Sequence, residues 1–335
     1  MAVPARYIKN RTIRKAKRKD ATMSLGHSIG SIVTIFIMIG VGFVLTKAGW
    51  FDESTSKLFA RLAINVALPC YMVYNLTDTF TKTQLVSLSR YLLVPIASML
   101  SCYILGIIIG YVIGVDRKRR GAFRTMFFVS NTMFIGLPVN LALFGEESVP
   151  YVLLYYIVNT TFYWTIGVYE ISRDNPENSA AKLFSAETLK NLFNPALLGF
   201  IFSIVLIMLN IKLPDFILSS CKYIGNLTTP LAMFFTGIVL SKMDISKLKP
   251  STDMTFLIIA RAIICPMMVI VLNRIFHIDG IMGLVFVVQA AMPVISSTGI
   301  LAKEYGSDYE FAATAIMATT LASLIVIPVY MAFIA

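Results

Sequence analysis

Charge is what this chain has least of. Of its 335 residues only 14% are Asp, Glu, Lys or Arg, against about 25% in an average soluble chain. Acids are absent from the middle of every long apolar run; Glu170 closes one such run, and Asp308 and Glu310 open another. That leaves no mid-membrane carboxylate for a proton relay or a sodium site, so a coupling ion would need carbonyls, hydroxyls or amides. The four cysteines, Cys70, Cys102, Cys221 and Cys265, stand singly in apolar runs, and the two histidines, His27 and His277, lie far apart. No disulfide framework or zinc spacing results, and Cys in such surroundings packs as a small apolar residue. HExxH, G-x-S-x-G and paired acids are also missing, which excludes an embedded enzyme. No metal or organic cofactor is expected, and coupling to H+ or Na+ stays unassigned.

What the chain does have is apolar length. Hydrophobic residues make up 57% of it, and its mean hydropathy is +0.76. A bilayer core about 30 Å thick takes roughly 20 residues of helix. Ten such runs lie near 28–46, 57–77, 91–115, 122–144, 149–170, 194–211, 215–240, 254–275, 281–302 and 309–334. The longest connection, SRDNPENSAAKLFSAETLKN, divides them into two sets of five. The expected fold is an all-α integral membrane protein of ten transmembrane helices. Its expected parts are a basic tail over 1–23, a first five-helix repeat over 24–171, a cytoplasmic loop over 172–193 and a second repeat over 194–335.

The two sets correspond in register. At an offset of 161 residues, Asn65 and Pro69 fall on Asn226 and Pro230, Gly145 falls on Gly306, and Val168-Tyr169 falls on Val329-Tyr330. A repeat with an odd number of spans re-enters the membrane from the opposite side, so the halves form an inverted pair, a common transporter design.

Positive charge orients the spans. Fifteen Lys and Arg, Arg117 to Arg120 among them, flank one set of span ends and five flank the other. The richer side is expected to be cytoplasmic, with both termini outside. The tail opposes this with eight basic residues between Arg6 and Lys19. Either the natural start is Met23, or the tail is a basic arm held at an anionic leaflet. Without interleaved aromatics or a matching fold, the tail gives no case for nucleic-acid binding.

Polar residues and helix breakers gather in two runs. VSNTMFIGLPVNLALFG carries Asn131, Thr132, Gly136, Pro138 and Asn140. QAAMPVISSTG carries Gln289, Pro293, Ser296, Ser297, Thr298 and Gly299. Broken backbone in lipid survives only where protein or a wet cavity covers it. Interrupted helices at corresponding places in two halves point to a transporter site, and the N-termini of half-helices suit an anionic group. Spans 4 and 9 are thus expected to be the broken helices, with Gly136 and Pro138 interrupting the first. Asn65, Pro69, Asn226 and Pro230 either line the same cavity or form kinks with satisfied amides. Asn159 and Thr160 suit interhelical hydrogen bonding. Arg261, in TFLIIARAIICP, lies about 10 Å inside a span by the helix rise. It either snorkels to the interface or serves as a substrate or counter-charge group.

These motifs resemble the auxin efflux carrier family. SNTMFIGLPVN followed by LALFGEES is similar to its fourth span, MPVISSTGILAKEYGSDYEFAA to its ninth and NVALPCYMVYNL to its second. The resemblance runs from about Met23 to the C-terminus. It implies the bile acid/sodium symporter-like fold, with spans one, two, six and seven as a scaffold that dimerises and with crossing spans four and nine in a mobile domain. It implies an elevator-like carrier of small organic anions, with Pro138 and Pro293 at the crossover and Asn131 as the neighbouring polar contact. The short middle loop suits the prokaryotic branch and the cytoplasmic membrane. The second half departs from the pattern: Val294 and Ile295 follow its single proline, and no asparagine stands at the break. A transporter-like sensor or channel that binds a small ligand without coupled transport is the alternative.

Overall fold

The computed structural model describes residues 30, 33–83, 89–175, 193–242 and 251–334. The basic tail, Met23 and most of the central loop lie outside the described residues. Among these residues the fold is helical throughout, and one isolated antiparallel bridge, Ser130↔Val294, is its sole β feature.

The first helix, α1, is Val33–Lys47. Helix α2 starts at an Asp52 cap and runs from Glu53–Leu62 through a π-turn, Ala63–Ala67, into Leu68–Thr79. Helix α3 is Leu93–Val112. The next element is split into α4a, Arg120–Phe128, and α4b, Thr132–Phe144. Helix α5 joins Val149–Phe162 through a π-turn to Val168–Ser172. Then follow α6, Pro195–Met208, α7, Asp215–Ser241, and α8, Thr252–Ile275. A second split element gives α9a, Gly280–Ala291, and α9b, Ser297–Tyr305, before α10, Tyr309–Ile334. By length and composition α3, α7, α8 and α10 can each cross a bilayer, and α1, α4b, α6 and α9a are shorter apolar helices. The chain is a multi-pass membrane protein.

The helices pack in two groups. In one, α2 lies along α6 and α7, and α1 packs on α7. Glycine makes this approach possible. A Cβ on Gly199 of α6 would lie 2.7 Å from the Pro69 Cα, and one on Gly237 of α7 would lie 2.2 Å from the Ile39 carbonyl oxygen. In the other group α3 pairs with α4a and α8, α4a with α5, and α9b with α10. Between them, Ile135 and Val139 of α4b meet Ile35 and Ile39 of α1 and Met233 of α7 in an apolar layer.

A local device recurs at the prolines. Pro69, Pro138 and Pro266 each stand second in the α-helix that follows a π-turn, at Ala63–Ala67, Thr132–Gly136 and Ala260–Ile264. Proline lacks the N–H and its ring crowds the carbonyl four residues back. A π-turn widens the helix there and absorbs both defects. The expected interruption at Gly136 and Pro138 is therefore corrected. Both residues lie within the continuous α4b, and the break falls earlier, where Val129 is extended and Asn131 caps the next turn. In the second half the break includes Pro293, as expected.

The ends of the split elements correspond. Phe144 and Tyr305 close α4b and α9b 161 residues apart. Each is followed by a glycine of positive φ, Gly145 at +69° and Gly306 at +71°, a region glycine enters without steric cost.

The start of α4a is tied down by acids. Buried Asp174 accepts the Gly121 and Ala122 N–H groups at 2.6 and 3.0 Å and the Ser307 hydroxyl at 2.7 Å. Arg119 reaches Asp253 at 2.7 Å and Asp308 at 3.7 Å, and Arg124 reaches Glu170 at 2.9 Å. Burial pushes the Asp174 carboxyl up to about 6, against the opposing pull of its three donors. A carboxyl raised on folding binds its proton more tightly in the folded state. Its stabilisation is full below about pH 4 and is lost as pH rises through about 6. This group alone should make the protein about 1 kcal/mol more stable at pH 5 than at pH 7. Melting curves across that range should show the difference, and Asp174→Asn should flatten it. An unchanged slope in the variant would remove Asp174 as its source.

Candidate functional site

The two breaks cross back to back. The Asn131 N–H donates to the Pro293 carbonyl at 2.8 Å, beside the Ser130↔Val294 bridge. Extended backbone in a membrane leaves N–H and C=O groups that must find partners. The neighbouring helices supply them. Asn159 of α5 takes both groups of Ser130: its Oδ1 accepts the N–H at 3.0 Å and its Nδ2 donates to the carbonyl at 3.0 Å. On the other side the Val294 N–H donates to Thr319 Oγ1 of α10 at 3.3 Å. The interhelical role expected of Asn159 is thus present, and its target is the backbone of the break. Thr319 carried no recognisable signal in the sequence, since one Thr in an apolar run has many uses.

Asn131 joins the first break to both neighbours. Its Oδ1 accepts the Phe134 N–H at 3.2 Å, capping α4b, and its Nδ2 donates to Ser296 Oγ at 3.4 Å. Gln289, fully buried in α9a, donates from Nε2 to the Thr132 carbonyl at 3.3 Å. It fits because residue 136 is glycine, where a Cβ would lie 2.1 Å from Gln289 Oε1. Asn140 Nδ2 donates to the Gly136 carbonyl at 2.7 Å.

Two polar atoms are buried here without a protein partner, Gln289 Oε1 and Asn140 Oδ1. Tyr163, from the π-turn of α5, lies beside Ser297 and Thr298 at the start of α9b. A buried orphan polar group costs about 1–3 kcal/mol, so the two beside Gly136 need an occupant or a function. Sequence reading missed Tyr163, because an isolated tyrosine in an apolar run resembles packing.

The breaks therefore bring together Asn131, Thr132, Gly136, Asn140, Gln289, Pro293, Ser296 and Thr298, with Ser297 half-buried at the edge. The expected cavity-lining set does not join them. Asn65 and Asn226 are exposed, Pro69 packs against Gly199, and Pro230 is half-buried near the start of Thr228–Ser241, the part of α7 that follows a turn at Asn226. Pro138 serves the π-turn of α4b. Arg261 is 3% exposed, which excludes snorkelling. Its Nε donates to the Met292 carbonyl at 2.9 Å, its Nη1 to Phe127 at 3.2 Å and its Nη2 to Ala290 at 2.7 Å.

The electrostatics of the crossing follow from helix direction. Unpaired carbonyls at helix C-termini carry partial negative charge and free N–H groups at N-termini partial positive charge. The C-terminal ends of α4a and α9a meet at Arg261. The N-terminal ends of α4b and α9b adjoin Asn131, Ser296 and Thr298, where no acid side chain neutralises them among the described residues.

The membrane transport protein family matches residues 27–331. An uncharacterized transporter of Methanocaldococcus jannaschii is 27% identical over 89% of this chain and 96% of its own length. One from Methanothermobacter thermautotrophicus is 23% identical over 90% and 97%. The uncharacterized transporter YfdV of Escherichia coli K12 is 20% identical over 89% and 94%.

Proposed function

From the premise that this chain belongs to the membrane transport protein family, as its auxin efflux carrier-like motifs foretold, we propose that it is a secondary carrier of a small organic anion. The anion's carboxylate would sit at the crossing, against the N-terminal ends of α4b and α9b, with Asn131, Ser296 and Thr298 as its polar contacts. The observation that carries this reading is the crossing itself. Two interrupted elements meet through the Asn131–Pro293 contact of 2.8 Å, and buried polar atoms beside it lack partners. Half-helix N-termini that converge on a point are suited to an anionic group.

In this reading the helices form two inverted five-helix repeats, supported by the 161-residue spacing of the helix ends and by the antiparallel bridge. The group holding α3, α5, α8, α10 and the two split elements moves as an elevator against α1, α2, α6 and α7. The latter helices would also make a homodimer in the cytoplasmic membrane, with both termini outside.

Reconstituted vesicles test the site. Wild-type protein should exchange a labelled mono- or dicarboxylate in counterflow, and Asn131→Ala should lower the rate at least about tenfold, a barrier change of about 1.4 kcal/mol. Its fold should survive, because losing the cap costs only about 1 kcal/mol. Full exchange by the variant would remove Asn131 from the site. Saturable binding with no counterflow in wild type would favour a sensor instead.

A further inference from the structure

Among the described residues Arg261 has no carboxylate partner. Its three hydrogen bonds to the backbone, at 2.7–3.2 Å, end on carbonyl oxygens, and the Cys265 thiol lies beside the guanidinium. Phe127 lies in the last turn of α4a, Ala290 in the last turn of α9a, and Met292 is the residue that ends α9a. One guanidinium therefore closes the C-terminal ends of both interrupted helices at once. Three converging carbonyls form the kind of oxygen cradle that otherwise takes a metal cation, and unwound carbonyls with half-helix C-termini are where transporters hold coupling sodium.

The charge balance gives the reason. Each helix end carries roughly half an elementary charge. Two C-termini amount to about one negative charge, which one arginine neutralises. Arginine suits this buried place because it stays charged and its rigid fork reaches several acceptors in one plane. The Cys265 thiol adds a fourth donor by bonding the Phe127 carbonyl at 3.1 Å. Every carbonyl Arg261 touches is thus held by a group covalently part of the chain.

We propose that Arg261 is the resident counter-charge of the crossing, standing where a coupling cation would otherwise be required, so that the crossing keeps its form with no sodium bound there. This rests on the crossing being the functional centre, but its test needs no substrate. Arg261 is a positioning residue: it acts by holding α4a and α9a so that the α4b and α9b ends stay unneutralised for an anion.

The experiment is thermal unfolding of the purified protein in sodium, potassium or choline chloride at equal ionic strength, for wild type, Arg261→Lys and Arg261→Met. Wild type should melt at one temperature in all three salts. The lysine variant, still a cation of similar reach, should melt well above the methionine variant, which matches its bulk without charge. A sodium-specific rise in the wild-type melting temperature would overturn the proposal, whatever the variants do. So would a methionine variant as stable as the lysine one, since packing rather than charge would then hold the crossing. Failure of transport in vesicles would count against the carrier reading and leave these melting results unaffected.

Discussion

Gly121→Ala should cost the protein most of its stability. Gly121 is the second residue of α4a, and a Cβ there would lie 1.9 Å from the Glu170 carbonyl oxygen and 2.4 Å from its carbon. These are backbone atoms, so no side chain can swing aside. Nor can either helix end retreat freely. The Gly121 and Ala122 N–H groups are bound to Asp174, Arg124 is paired with Glu170, and the Tyr103 hydroxyl donates to Glu170 Oε1 at 2.5 Å. Overpacking alone costs about 1–3 kcal/mol, and bonds to a charged acceptor are worth about 1.5–3 kcal/mol each. A loss of about 3–5 kcal/mol is expected, in the range seen only where a specific structural cause exists. Size-exclusion and melting measurements on detergent-purified protein should show aggregation or a collapse in yield. The control is Gly110→Ala in α3, where the nearest atoms stand at 3.4 Å and alanine favours the helix by about 1 kcal/mol. That variant should melt at or above the wild-type temperature. A Gly121→Ala protein that matched it would mean the ends of α4a and α5 are not in contact.

The contrast between these two glycines shows what a sequence can and cannot convey. Both read as small residues near a span end, and only the neighbour's backbone separates them. Span positions were legible because lipid demands uninterrupted apolar length. The run expected at 215–240 is helical over Asp215–Ser241, and that at 309–334 over Tyr309–Ile334. The second break was legible at Pro293. The first was misplaced, because proline announces a local defect while the π-turn that absorbs it leaves no mark in composition. The triplet Ser130-Asn131-Thr132 was the better sign, being polar residues where no span end calls for them. Arg261 was legible as unusual but not in its role. Its partners are carbonyls, which every residue carries, so only geometry could identify them. The cysteines read as solitary, yet Cys265 lies beside Cys102, a pairing of α3 with α8 that their separation in sequence concealed.

The halves of the crossing are alike in plan and unequal in strength, and that inequality gives the second large effect. Asn159 satisfies both backbone groups of Ser130 at 3.0 Å, whereas Thr319 reaches only the Val294 N–H at 3.3 Å. Asn159→Leu keeps the bulk and orphans two buried groups, at about 1–3 kcal/mol each, so about 2–6 kcal/mol is expected. Thr319→Val orphans one weakly held N–H and should cost about 1 kcal/mol. Asn159→Asp is the sharper probe. It retains an acceptor for the N–H but presents a second oxygen to the Ser130 carbonyl, so it should fall as far as leucine although it is nearly isosteric. Melting temperatures should rank wild type, Thr319→Val and then the two Asn159 variants, with counterflow lost in that last pair. Asn159→Asp near wild type would show that the donor half of the amide contributes nothing. The order matters for the mechanism, because a carrier that moves its crossing as one piece needs both breaks held through the motion. The first break is held by a side chain that grips its strand from both sides. The second relies on a single hydroxyl, on Arg261 at Met292 and on the Asn131 N–H at the Pro293 carbonyl, so loss of that arginine should loosen the α9a end before the α4a end.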